Sequence, residues 1–360
     1  MKLTTTKVRK IEHLEITLYK NVKFREKTTW LEYVHLIHCS LPEMNLEDVD
    51  TSINFLNRRI KYPIMINSMT GGPKETFIVN KMLAQAAEEY GIPMGVGSQR
   101  IALESKLARN NFRRLRKVAP STILISNIGA VEATKLSPSE VRELVEMIDA
   151  DALFIHLNPL HEALQWDGKP YYRNVVSAIS KICDTIDVPV IVKETGCGIS
   201  REVASMLIDA GVYAISVDGS GGTSWAAVEY YRATDEALKS LCRAFWDWGI
   251  PTAASIIEAY SANAKVIAAG GITNGIDIVK AVSIGAIMGS IARPFVKQAW
   301  KGMKYIREYI ESLIREIKLT LFLTGSRKLL DVRSRNKVVI YGPLKEWVEY
   351  RGLKLPFAET

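Results

Sequence analysis

Two stretches near the C-terminal third decide the fold: Val266-Ile267-Ala268-Ala269-Gly270-Gly271-Ile272-Thr273-Asn274-Gly275, and Ala286-Ile287-Met288-Gly289-Ser290-Ile291-Ala292-Arg293-Pro294. Each opens on a short uncharged apolar run, the pattern of a strand buried on both faces. Each run then reaches glycine and leads into a segment with helical spacing. Glycine lets backbone amides approach a phosphate closely, and a helix N-terminus behind it adds a favourable dipole. Two such units in succession predict parallel strands whose loops make an anion site, as barrels do after their last two strands. Either loop alone could be plain turn chemistry with no ligand.

Six more apolar runs lie upstream, near Pro63–Asn67, Ile92–Val96, Thr122–Asn127, Ala152–Leu157, Val188–Lys193 and Tyr213–Val217. With Val266–Ala269 and Ala286–Gly289 they make eight. The segments between them carry helical periodicity. Glu75–Tyr90 puts Phe77, Val79, Met82, Leu83 and Ala86 on one side, and Ser137–Ile148 opens with the start signal Ser137-Pro138-Ser139-Glu140. Strand–helix alternation implies right-handed crossovers and a parallel sheet, and eight units imply closure. The expectation is an α/β fold, a (β/α)8 TIM barrel over residues 61–295, in a single domain spanning 1–360. Residues 1–60 form an N-terminal arm with a short strand pair. Residues 296–360 form a C-terminal helical extension that begins with a long helix over Val296–Thr324. A doubly wound open sheet is the competitor, but it needs fewer units than these.

The totals bound the function. The chain has 360 residues, 48% hydrophobic and 24% charged, which excludes a disordered chain. Its formal charge of +8 favours anionic ligands. Cys39, Cys183, Cys197 and Cys242 show no paired spacing, and the histidines are not arranged with them as a zinc site. Together with an N-terminus lacking a signal-peptide run, this points to the cytoplasm. The uncharged run Ala281–Ala292 is too short to span a bilayer, so no membrane is expected. The basic tail Arg327–Lys337 lacks interleaved aromatics, so no nucleic acid is expected as a partner either.

A barrel carries its chemistry on the loops after its strands. Those loops read Ser68-Met69-Thr70-Gly71-Gly72, Gly95-Val96-Gly97-Ser98-Gln99-Arg100, Ser126-Asn127-Ile128-Gly129, His156-Leu157-Asn158 with His161-Glu162, Lys193-Glu194, and Asp218-Gly219-Ser220-Gly221-Gly222-Thr223. That all of them fall on one rim is hard to explain as turns. A lysine at a strand end, Lys193, can neutralise the electron-rich edge of a reduced flavin. Glu162 can hold Mg²⁺ bridged to substrate phosphates. Arg9 and Lys10 offer two cations to a diphosphate, though on their own they read equally as a solvated basic arm.

These residues resemble the type 2, FMN-dependent isopentenyl diphosphate isomerases. The likeness lies in Arg9-Lys10-x-Glu12-His13, Met69-Thr70-Gly71-Gly72, Gly95 through Arg100, His156-Leu157-Asn158 and Val192-Lys193-Glu194. It continues through Gly221-Gly222-Thr223-Ser224-Trp225, Gly270-Gly271-Ile272, Ala292-Arg293-Pro294 and Leu344-Lys345-Glu346-Trp347. The resemblance implies an isomerase that interconverts isopentenyl and dimethylallyl diphosphates by 1,3-proton transfer in isoprenoid biosynthesis. It implies FMN in reduced form, Mg²⁺, NADPH or NADH as reductant, and a homotetramer. It places the flavin at Ser68, Met69, Thr70, Gly71, Ser98, Asn127, Lys193 and Thr223, with its phosphate at Gly271, Ile272, Thr273, Ala292 and Arg293. It places the diphosphate substrate at Arg9, Lys10, Ser98, Gln99, Arg100, His156, Asn158 and His161, with His161 and His156 catalytic and Glu162 on the metal.

Three departures stand out. His161 replaces the family's glutamine, which leaves a catalytically altered paralogue as an alternative. Ser216 and Asp218 reverse an expected acid-then-hydroxyl order, and Trp166-Asp167-Gly168-Lys169 replaces a proline–glutamate–glycine–acid stretch. The other alternative is an FMN-dependent TIM-barrel oxidoreductase of the hydroxy-acid-oxidising kind. Such an enzyme needs a histidine base on a late loop, and every histidine here lies at or before position 161.

Overall fold

A computed structural model of the chain describes residues 5–69 and 74–357. Eight parallel strands close into a barrel: β1 (Ile64–Ile66), β2 (Met94–Gly95), β3 (Leu124–Gly129), β4 (Ala152–His156), β5 (Val190–Lys193), β6 (Ala214–Ser216), β7 (Val266–Ala269) and β8 (Ala286–Ile291). Each sits within or beside an apolar run named above, and the open sheet is excluded because β8 pairs with β1. The helix expected at Ser137–Ile148 spans Pro138–Glu146, with Ser137 and Glu140 in a reciprocal capping box.

The strands read as continuously apolar because they have two dry faces. Met65, Ile125, Phe154, Ile191, Ala214, Ile267 and Met288 belong to one cluster inside the barrel. Their neighbours Ile64, Leu124, Leu153, Val190, Ile215 and Val266 belong to the larger cluster formed with the surrounding helices. Side chains alternate along a strand, so residues two apart share a face. The expected strand pair is the hairpin Ile53–Phe55 with Arg58–Ile60, and it closes the bottom of the barrel with Phe55 and Ile60 in the inner cluster.

The arm's helix, Thr5–Tyr19, lies across the opposite, C-terminal end of the strands. The guanidinium of Arg293 fastens it by donating to Thr17 O at 2.8 Å and Lys20 O at 3.2 Å. The single long helix expected after Pro294 is instead two, Arg293–Lys301 and Met303–Leu323. Gly302, at φ +122°, interrupts them in a conformation that side chains disfavour. The tail folds back onto the barrel rather than extending from it. Strand Val338–Ile340 pairs with Val34–Leu36, and Arg333 donates to the carbonyls of Val282, Gly285 and Ala286. No described helix is long and apolar enough to cross a membrane.

Candidate active site

The strand alternation builds the mouth. Two residues beyond the inward apolar positions, at the carboxyl ends, come Asn67, Asn127, His156, Lys193 and Ser290, and all five line one cavity of about 820 Å³. Register sets two of them side by side, since His156 pairs with Lys193, and Gly129 pairs with His156 on its other side. Gly95 leaves room beneath: a Cβ there would lie 2.6 Å from Phe154 and 2.4 Å from Ser68 Oγ.

The residues expected to hold FMN converge on this cavity. Ser68, Met69, Ser98, Asn127, Lys193, Thr223, Gly271, Ile272, Thr273, Ala292 and Arg293 all line it, while Thr70 and Gly71 lie outside the described residues. The glycine loop after β7 is a cradle that side chains would fill. Gly270 and Gly271 stand at φ +97° and +76°, and a Cβ on Gly271 would lie 2.4 Å from Thr29 Cγ2 and 2.9 Å from Gly221 O. The buried hydroxyls of Ser68 and Ser290 have no hydrogen-bond partner among the described residues, so a polar ligand in the cavity would satisfy both. The chain therefore fits a flavin. Arg293 differs from its expected role: its guanidinium is spent on the arm's carbonyls, leaving its backbone at the start of helix Arg293–Lys301 as the part open to a phosphate. Lys297, one turn on, lines the same end of the cavity.

Lys193 is buried, and its Nζ lies 3.1 Å from Asp218 Oδ1. Asp218 also accepts from Asn67 Nδ2 at 2.8 Å and from Ser216 Oγ at 2.6 Å. The acid displaced from strand to loop thus still reaches the strand-end lysine. It does so from φ +39°, an uncommon conformation for a residue with a side chain.

The same cavity is lined by the cations and imidazoles expected at the substrate, Arg9, Lys10, Arg100, His156 and His161. Arg9 donates to Gln165 and Asp167, Lys10 Nζ donates to Ser98 O at 3.0 Å, and Arg100 pairs with Glu132 at 2.8 Å. Asn127 Nδ2 donates to Val96 O, so its Oδ1 accepts from His156 Nδ1 at 2.8 Å. That fixes the imidazole tautomer and leaves Nε2 as the acceptor. Burial holds His156 down at about 4, so it is neutral at pH 7. Tyr172 and Glu162 hold the Asn158 amide, and Glu162 Oε2 accepts from Lys169 N at 2.9 Å. Gln99 is the exception among the expected substrate residues. It does not line the cavity; its side chain is fully buried, donating to Leu144 O and accepting from Ser126 and Asn127. It braces the β3 end rather than facing a ligand.

His161 Nε2 lies 2.8 Å from Glu229 Oε1, and His13 Nε2 lies 2.9 Å from the same oxygen. Burial would raise Glu229, but hydrogen bonds from His13 and His161 outweigh it and keep the carboxyl ionised. Burial pushes His13 down to about 4. Glu229 and Glu132 carry no sequence signal as site residues, because nothing local marks partners 216 positions away for Glu229 and 32 for Glu132.

Lys10 yields a pH prediction. Burial, then repulsion from Arg9 and Arg100, lowers it to about 7. A bound diphosphate favours the charged ammonium. Below pH 7 that charge is already present, and above it binding must take up a proton. Inorganic pyrophosphate affinity should therefore weaken as pH rises past 7, by up to about tenfold per unit. Lys10→Arg, with its permanent charge, should flatten that slope in calorimetric titrations; parallel profiles would refute the assignment.

Comparison with known proteins bears on the family and the fold. The FMN-dependent dehydrogenase family matches residues 156–338. The isopentenyl-diphosphate delta-isomerase of Archaeoglobus fulgidus is 44% identical over 97% of this chain and 100% of its own. That of Pyrococcus furiosus is 44% identical over 97% and 90%, and that of Methanosarcina mazei 44% over 98% and 97%. Among solved structures, a mandelate oxidase variant with a monooxide FMN adduct superposes with a TM-score of 0.62 at 19% identity, covering 92% of each chain. Mandelate oxidase with a difluoro-hydroxy-phenylpropionic acid gives 0.63 at 17%, covering 92% and 95%; these two speak to the barrel alone. On the strength of the full-length likeness, the chain belongs to the isopentenyl-diphosphate delta-isomerase family, in its flavin-dependent branch.

Proposed function

We propose that this protein interconverts isopentenyl diphosphate and dimethylallyl diphosphate by moving one proton on and another off the carbon skeleton. The observation that carries the reading is a single cavity of about 820 Å³ lined by two groups of residues, each suited to an anion. One comprises the glycine cradle at Gly270–Gly271 and, on the same cavity, Lys193, and is suited to FMN. The other is the cluster Arg9, Lys10 and Arg100 around His156 and Asn158, suited to a diphosphate. Bound and reduced, FMN supplies a group able to exchange protons with the substrate, and NADPH or NADH supplies the reducing electrons.

The chain's own residues do the rest. Lys193, held by Asp218 at 3.1 Å, would supply a positive charge to offset the electron density that reduction adds to a bound flavin. His156, with Nδ1 committed to Asn127, can donate to a phosphate oxygen only by taking up a proton at Nε2, which the diphosphate charge favours. Glu162 would supply an oxygen ligand for Mg²⁺, a hard cation suited to carboxylate and phosphate oxygens. The arm's helix lies over the mouth and limits water access to the reacting carbons. His161 sits where the resemblance has glutamine and, hydrogen-bonded to Glu229, keeps a polar group at the reactive end.

Glu162→Gln should raise the Mg²⁺ concentration needed for turnover by about tenfold or more and leave the flavin bound; loss of flavin in that variant would mean the residue is misplaced. The oxidase reading is tested anaerobically. Mandelate or lactate should leave the oxidised flavin spectrum unchanged while NADPH bleaches it, and bleaching by a hydroxy acid would favour the oxidase.

A further inference from the structure

We propose that His13, His161 and Glu229 form a binding site for one divalent transition-metal ion of the zinc, nickel or cobalt class, in the cavity wall. The three ligand atoms lie within 4.8 Å of one another. Both imidazole Nε2 atoms converge on one carboxylate oxygen, at 2.9 and 2.8 Å. Ligands around a tetrahedral zinc sit about 3.3 Å apart, so opening each contact by a few tenths of an ångström admits the ion. Among the described residues this is the only group of three such side chains.

Three protein ligands leave a fourth position. His13 and His161 line the cavity, so that position faces the space in which a substrate or water can enter. The outer contacts orient the ligands as metal sites require. Arg232 Nη1 holds the other Glu229 oxygen at 2.7 Å, and the Trp225 ring stacks on His161 at 4.3 Å. The Arg232 cation opposes a metal, but Glu12 offsets it at 3.0 Å. Two imidazoles and one carboxylate select borderline transition metals over Mg²⁺, which prefers oxygen donors such as Glu162. Glu162 turns elsewhere, toward Asn158 and Lys169 N. The site exists in this chain because position 161 is histidine, since a glutamine amide there would be a poor ligand.

The test is equilibrium dialysis of Zn²⁺ against the tag-free full-length protein as purified, without substrate or Mg²⁺, with Co²⁺ absorption as a second readout. One equivalent should bind, with intense visible Co²⁺ bands of a four- or five-coordinate site. His161→Gln should weaken binding at least about tenfold, the loss typical of an outer partner alone, while melting like the unsubstituted protein. Glu162→Gln should bind as before. Unchanged affinity in His161→Gln, loss of binding in Glu162→Gln, or no zinc bound by the unsubstituted protein would each overturn the proposal. None of these readouts involves turnover, so they stand or fall apart from the isomerase reading.

Discussion

Gly271→Ala is expected to give a folded barrel that no longer retains FMN. Gly271 stands at φ +76°, and an added Cβ would meet Thr29 Cγ2 at 2.4 Å and Gly221 O at 2.9 Å. The left-handed conformation alone costs a residue with a side chain about 1–2 kcal/mol, before any clash. Relief requires the loop to move, and the loop is the proposed phosphate cradle. A shift costing at least about 2 kcal/mol weakens flavin binding on the order of thirtyfold. Flavin content after gel filtration, beside a circular-dichroism melt, reads the two effects separately. Pairing the change with Thr29→Ser removes one clash and should restore part of the flavin. A fully yellow Gly271→Ala protein would show that the phosphate sits elsewhere.

The second large effect is expected at Asp218. Side-chain exposures of 4% for Lys193 and 10% for Asp218 make theirs a buried ion pair. Removing one member of such a pair strands the other charge and costs on the order of 3 kcal/mol. In Asp218→Asn the amide must also face two donors, Asn67 Nδ2 and Ser216 Oγ. Flavin-free protein should therefore unfold at lower denaturant by about that amount. With FMN bound, the uncompensated Lys193 charge should favour the electron-rich reduced form and raise the midpoint potential. Unchanged stability together with an unchanged potential would mean that Asp218 does not balance Lys193.

The barrel was legible because its signal is redundant. Eight apolar runs, each with two dry faces, recur between amphipathic helices, and chance rarely produces that order. The lining of the mouth follows strand alternation: Lys193 and Asn127, both expected from the sequence, and Ser290, which was not, sit two residues past inward apolar positions. Loops without periodicity gave less. Gln99 shares a motif with Ser98 and Arg100, yet its side chain turns under the rim to brace β3, a direction no loop pattern encodes. Arg293 likewise closes the arm over the mouth with its guanidinium. The helix break at Gly302 did have a signal, the glycine itself, which the apolar spacing on either side masked. Glu229 had none, because its role depends on the arm folding back across the mouth to bring His13 beside it.

The account rests on one mouth serving both a flavin and a diphosphate. Proton NMR of isopentenyl diphosphate, incubated in deuterated water with the protein, FMN, NADPH and Mg²⁺, tests this most directly. The expected spectrum gains dimethylallyl diphosphate methyl signals and shows deuterium entering the carbon skeleton, both dependent on reduced flavin. A spectrum that keeps only unlabelled isopentenyl diphosphate, from protein shown to be yellow and folded, would contradict it.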